Sequence, residues 1–329
     1  MIPDSPMVLW FRLLTLAVVF SLFSEGVADA QKRTTTTRSS RAASEKEEEP
    51  TARRRPLKAP VEVDAEDLKT RDGVQLSATF YPGNRGKNSV PIILLHSWGG
   101  SREEFAALAP FLQAQGCAVL VPDLRGHGLS NQVEVAPEEY EELTFKRFHQ
   151  DIYEAMVLYD LPQLKRFLMK ENNKGQCNID KMGLIGIEMG SLLAASFANK
   201  DWATNLKRRK KNPFMGDVKG IVAISMPKNF SGLKFIDTLN NPHWNQNMSA
   251  LFLAGEGDRE VERAKTLETQ LRRLLRVKEL ENIYCIQLET STQGAKLIAD
   301  RNDEPAKLIA EFIERRLSDR EFPWENRAK

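Results

Sequence analysis

The chain has 329 residues, 41% of them hydrophobic, enough to bury a sizeable core within one large domain. Its 47 Lys and Arg against 45 Asp and Glu hide an uneven spread: residues 31–60 hold nine basic and four acidic side chains, whereas residues 61–329 hold 37 and 38. A near-neutral folded part offers no nucleic-acid footprint, and beyond the first thirty residues no apolar run is long enough to span a bilayer.

Residues 13–23, Leu-Leu-Thr-Leu-Ala-Val-Val-Phe-Ser-Leu-Phe, form an apolar run of signal-peptide length, preceded by Arg12 and followed by the small-x-small pattern Ala28-Asp29-Ala30. Residues 1–30 are therefore expected to be a signal peptide and the protein to be exported, periplasmic or secreted. An uncleaved membrane anchor is the alternative, because a single positive charge precedes the run. Residues 31–60 are Thr-, Ser-, Arg-, Lys- and Glu-rich with almost no large apolar side chain, so they read as a disordered basic linker. The other role open to Arg53, Arg54 and Arg55 is contact with an anionic envelope surface.

Structure is expected from Val61. Residues 63–68 and 75–81 flank Thr70-Arg71-Asp72-Gly73, an antiparallel hairpin signal with Asp-Gly at its turn. Short apolar runs then alternate with helical periodicity. Strands are expected at 90–95, 118–121, 182–187, 220–224, 250–254 and 283–288; helices are expected from Glu103, over 145–168, from Ser191, from Val261 and over 305–317. Such alternation predicts an α/β protein: a mostly parallel, doubly wound sheet of about eight strands with helices on both faces. Between Pro227 and Met248 there is no room for a helical cap domain, and the basic run 207–211 fits a solvated helix end. Cys117, Cys177 and Cys285 are too widely spaced for a disulfide framework or a metal site, and no cofactor is expected. A tail follows from residue 318.

Three segments carry the chemistry. Leu94-Leu95-His96-Ser97-Trp98-Gly99-Gly100 follows the first parallel strand; Pro122-Asp123-Leu124-Arg125-Gly126-His127-Gly128-Leu129-Ser130 follows the next; and Gly186-Ile187-Glu188-Met189-Gly190 joins an apolar strand to a small-residue helix. In this order they resemble the α/β-hydrolase superfamily, in its capless branch of dienelactone-hydrolase-like and serine-aminopeptidase-like esterases, over Val61 to Leu317. The resemblance implies oxyanion donors from the main chain of Trp98 and Met189, an architectural role for His127, and a nucleophile elbow whose pattern here is G-x-E-x-G. Glu188 thus stands where the nucleophile belongs, and Ser191, on the first helical turn, points away from the donors. Aspartate serves as an ester-forming nucleophile in some relatives, haloalkane dehalogenases and epoxide hydrolases, so a glutamate does not by itself forbid attack.

The base is the larger loss. Gln293 holds the place of the family's histidine, and an amide takes no proton near neutral pH. The histidines are His96, His127, His149 and His243, none of them after the last strand. Asp258 lies on the loop that supplies the triad acid. The resemblance therefore implies an exported hydrolase homologue that is catalytically silent, a pseudoenzyme binding a small molecule in a pocket near Glu188 or acting at the envelope. The alternative is an active hydrolase of ester or related acyl substrates, with Glu188 as nucleophile or base.

Overall fold

Fully buried parallel strands betray themselves by runs with no polar face, and these runs build the centre of the molecule. The computed structural model describes residues 56–204, 216–234, 248–256, 269–270, 272–273, 282–299 and 304–328. The expected signal peptide, most of the linker, the basic run 207–211, His243, Asp258 and the start of the helix expected from Val261 lie outside them. Thirteen strands are described: β1 (Val61–Val63), β2 (Val74–Gln75), β3 (Ser77–Tyr81), β4 (Val90–Leu95), β5 (Cys117–Asp123), β6 (Gln132–Ala136), β7 (Glu139–Glu142), β8 (Met182–Ile187), β9 (Val218–Ile224), β10 (Asn229–Phe230), β11 (Leu233–Lys234), β12 (Ser249–Gly255) and β13 (Ile283–Leu288). The helices are α1 (Ala65–Leu68), α2 (Leu108–Ala114), α3 (Gln150–Ala155), α4 (Leu161–Asn173), α5 (Met189–Thr204) and α6 (Glu304–Ile313).

Eight strands form one sheet in the order β1-β3-β5-β4-β8-β9-β12-β13. From β5 to β13 every neighbour is parallel; β1 and β3 are antiparallel at the N-terminal side, with Val61 opposite Phe80. Along β4 the side chains alternate between two cores. Ile93 and Leu95 join α4 and α5 residues such as Leu164 and Leu192, while Ile92 and Leu94 join Leu108, Leu112 and Ile309 of α2 and α6. This is the doubly wound arrangement expected.

Several local details differ from the expectation. Residues 65–68 form α1, because Leu68 packs fully into the core, and the turn at 70–73 is closed by a Lys69–Gln75 bridge. The single helix expected over 145–168 is α3 and α4 separated by a π-turn at Met156–Asp160, and that turn carries a fully buried Asp160. Residues 132–142 form the hairpin β6/β7, which pairs with β2. Residues 319–328, expected as a tail, lie against the body: the Trp324 indole N–H donates to Cys177 O (3.1 Å), and Arg327 pairs with Asp217 and Asp180.

The Asp123–Ser130 loop is held by its own charged side chains. Asp123 accepts from the Arg102 N–H (2.9 Å), from Arg102 Nε (3.0 Å) and from the Leu129 N–H (3.0 Å). Ser130 Oγ donates to Asp123 O (2.7 Å) and accepts from the Ser77 N–H (2.8 Å). Arg125 donates from Nε to both Asp160 oxygens (3.0 Å each) and from Nη1 to Asp72 (2.8 Å). Burial opposes its charge, but the two carboxylates hold its pKa above the ordinary value.

Candidate functional site

The elbow exists because two residues lack a side chain. A Cβ on Gly186 would stand 2.3 Å from Gly190 C and O, and one on Gly190 would stand 2.1 Å from Leu95 O, so β8, α5 and the end of β4 cross at backbone contact. Between them Glu188 adopts φ +47°, a left-handed conformation that costs a residue with a side chain roughly 1–2 kcal/mol. Surrounding bonds enforce it: the Glu188 N–H donates to Ile224 O (2.9 Å) and the Ser191 N–H to Glu188 O (3.0 Å). The Glu188 side chain emerges exposed. Ser191 does not share that position, being fully buried with its hydroxyl donating to Gly186 O (2.7 Å).

The loop after β13 reaches the same point. A Cβ on Gly294 would lie 2.5 Å from Glu188 Oε1, so the carboxylate rests against that glycine, whose φ is +58°. The Gly294 N–H donates to Ser225 Oγ (2.9 Å), and Ser225, itself at φ +47°, follows β9 and donates its N–H to Leu253 O (2.9 Å). Gln293, exposed and immediately before Gly294, is thereby brought beside the elbow. Asp258 lies outside the described residues. The strand before it ends against the same loop, with the Glu256 N–H donating to Leu288 O (3.0 Å) and Thr290 O (2.6 Å).

On the β4 side, the Ser97 N–H donates to Glu104 Oε2 (2.9 Å), the Gly99 N–H to His127 Nε2 (3.2 Å) and the Gly100 N–H to Ser97 O (3.1 Å). The Trp98 N–H between them has no acceptor among the described residues. Met189 opens α5, where first-turn N–H groups lack intrahelical partners and the helix dipole favours a nearby anion.

The imidazoles are occupied elsewhere. His96 is fully buried; its Nδ1 lies 2.7 Å from Ser97 O and its Nε2 accepts from the Leu124 N–H (2.9 Å). His127 repeats the arrangement, with Nδ1 at 2.9 Å from Arg125 O and Nε2 on the Gly99 N–H, and its ring stacks on Phe145 at 4.3 Å. Both partner sets require the neutral ring protonated at Nδ1. Burial lowers the pKa of both, that of His96 to about 4. A histidine whose folded pKa is depressed stabilises the fold above its unfolded value of about 6.5. That stability is lost as pH falls toward the folded pKa, on the order of 3 kcal/mol for His96. We therefore expect unfolding by urea to become easier from pH 7 to pH 4.5, and the His96 ring protons to titrate near pH 4 by NMR; titration near 6.5 would contradict this account. His149 is exposed at the start of α3, outside the convergence of β8, β9 and β13.

Two features escaped the sequence. Ser225 had no motif to mark it, only its place just past a strand end. The second is an aromatic cluster around Trp98: its Nε1–H donates to Tyr153 Oη (3.1 Å), and its ring meets Phe145 edge to face (5.3 Å, 88°) and lies 6.5 Å from Phe230. A cavity of about 240 Å³ between α2 and α6, lined by Arg85, Val90 and Cys117, opens at the opposite end of the parallel strands, where β4 and β5 begin. It is therefore not the pocket expected near Glu188. Cys117 there is buried, which pushes its thiol up to about 12. Among the described residues no group of His, Cys, Asp and Glu could hold a metal ion, and no helix is long and apolar enough to cross a membrane.

Residues 90–233 match the family described as alpha/beta hydrolase fold. A search of curated proteins finds no match. Among solved structures, the chain is similar to an esterase of Pyrococcus furiosus at 19% identity, covering 80% of this chain and 91% of that one with a TM-score of 0.54. It is also similar to an esterase of Pyrobaculum calidifontis at 17% identity, covering 79% and 87% with a TM-score of 0.52. At such identities the likeness is one of fold.

Proposed function

We propose that this member of the α/β-hydrolase superfamily is a non-catalytic hydrolase homologue, a pseudoenzyme that binds a small molecule near Glu188. The observation that carries the reading is the pairing of Glu188 with Gln293. The carboxylate rests against the loop that supplies the base in the family, and the residue there is an amide. His96 and His127 have both ring nitrogens engaged, so neither can take a proton from water or from an attacking group without breaking the loops it holds.

Purified protein is expected to leave p-nitrophenyl acetate and butyrate unhydrolysed above the buffer rate. Glu188→Ser alone is expected to stay silent, because Gln293 still offers no base. Turnover well above buffer that vanishes in Glu188→Ala would overturn the proposal. That outcome would favour the second reading, Glu188 as nucleophile, which the exposure of its side chain at the elbow supports.

Export completes the proposal, resting on residues 13–23 and the Ala28-Asp29-Ala30 pattern. Sequencing the N-terminus of protein recovered from the cell envelope or medium is expected to begin at Gln31. Retention of Met1 on a membrane-bound product would instead make the run an anchor.

A further inference from the structure

We propose that the cavity between α2 and α6 is a second binding site, separate from the elbow, that takes a short aliphatic monocarboxylate: the Arg85 guanidinium grips the carboxylate and the apolar floor receives the chain.

The floor is drawn from four elements. Val90 and Cys117 begin β4 and β5, Leu112 lies on α2 and Ile313 ends α6, and all four side chains are buried. A buried neutral thiol behaves there as a small apolar group. The volume, about 240 Å³, lies below the roughly 300–1,000 Å³ of pockets for drug-sized ligands, so the occupant is small. Charged and polar side chains, Gln115 and Lys307 among them, line the same cavity but stand exposed. Apolar walls within and charge at the mouth suit a molecule that is apolar at one end only.

Arg85 is the charge built into the wall. Its side chain lies across Gly116, where an added Cβ would stand 2.1 Å from Arg85 Nε and 2.6 Å from Cδ. Its Nη1 donates to Ser318 Oγ (3.2 Å), which fixes the end of the fork. Among the described residues no carboxylate pairs with it, so most of its donors are unspent at the cavity. The acids at the mouth do not take that place. Glu311 is held by Arg315 Nη2 (2.5 Å), and Glu314 is exposed, as is Lys307 one helix face away from neither. Lys181 adds a second cation at Ser318, its Nζ donating to Ser318 O (2.6 Å), with Asp319 as the acid nearest to it in charge. A planar carboxylate matches the guanidinium fork with two parallel hydrogen bonds, whereas an ammonium head would be repelled.

Hexanoate is the probe; hexan-1-ol and hexylammonium carry the same chain with a neutral and a positive head. Isothermal titration on the full chain at pH 7 is expected to give saturable hexanoate binding, about 10-fold tighter than either control. It is also expected to be at least about 10-fold tighter than butyrate, since each buried methylene contributes roughly a factor of four. Arg85→Gln is expected to bring hexanoate down to the level of hexan-1-ol. Ala310→Leu, which adds bulk where α6 lines the cavity and keeps a good helix former, is expected to abolish binding of both while thermal unfolding stays close to that of the parent. No saturation with hexanoate, equal affinity for hexanoate and hexylammonium, or indifference to either substitution in a folded variant refutes the proposal. The cavity lies at the far end of the strands from Glu188, so these outcomes leave the elbow reading to the ester assays.

Discussion

Arg125→Ala is expected to cost about 3–5 kcal/mol of folding free energy, a large part of the stability of a domain of this kind. The guanidinium is 4% exposed, and the Asp160 side chain it grips is 0% exposed. Without the arginine, Asp160 is left inside the protein with neither water nor a counter-charge, and that orphaned carboxylate is the main source of the loss. Asp72, being partly open to solvent, adds less. Urea unfolding of the variant measures the effect. A double variant, Arg125→Met with Asp160→Leu, is expected to recover most of it, because an apolar pair of similar size avoids burying any charge. A loss below about 1 kcal/mol in Arg125→Ala would mean that the pair is already neutral or that water reaches it. The loop after β4 would feel the same change, since the Arg125 carbonyl orients His127, whose Nε2 holds the Gly99 N–H next to Trp98.

That ion pair also marks where legibility in the sequence ends. Strands β4 and β8 fall at the residues expected, because burial on both faces writes a continuous apolar run that needs no distant partner to be recognised; β13, at the sheet edge with Tyr284 and Gln287 exposed, also falls at the residues expected. The elbow was equally plain: two glycines with one residue on each side of an acid are a local statement about backbone contact. What failed was non-local. The π-turn that splits the expected 145–168 helix brings Asp160 to Arg125, 35 residues away in sequence, and helical periodicity has no means of announcing it. The acidic strand β7, Glu139–Glu142, is exposed at every position, so it has no apolar alternation to read. Arg327 finds Asp217 and Asp180 across more than a hundred residues, which is why a polar terminal stretch looked like a tail. At the site, Glu188 and Gln293 were identified by their place in motifs, whereas the tie from Gly294 to Ser225 that brings their loops together is a single long-range bond.

Gly190→Ala is expected to be the most damaging single methyl group that can be added at the elbow, costing at least about 3 kcal/mol and lowering Tm by roughly 6–12 °C. Its Cβ would stand 2.1 Å from Leu95 O, 2.7 Å from Leu95 C and 2.8 Å from His96 O, all backbone atoms that no rotamer change can move aside. Relief requires α5 to back away from β4, across an interface in which Leu95, Leu184 and Leu192 are fully buried or nearly so. Gly175→Ala is the control. That glycine has φ +72°, but an added Cβ would meet nothing closer than 3.5 Å, the end of the flexible Lys87 side chain. Its cost is expected to be the conformational one alone, about 1 kcal/mol. Thermal unfolding of both variants separates collision from backbone preference, and equal losses would show that the elbow yields more easily than its contacts imply.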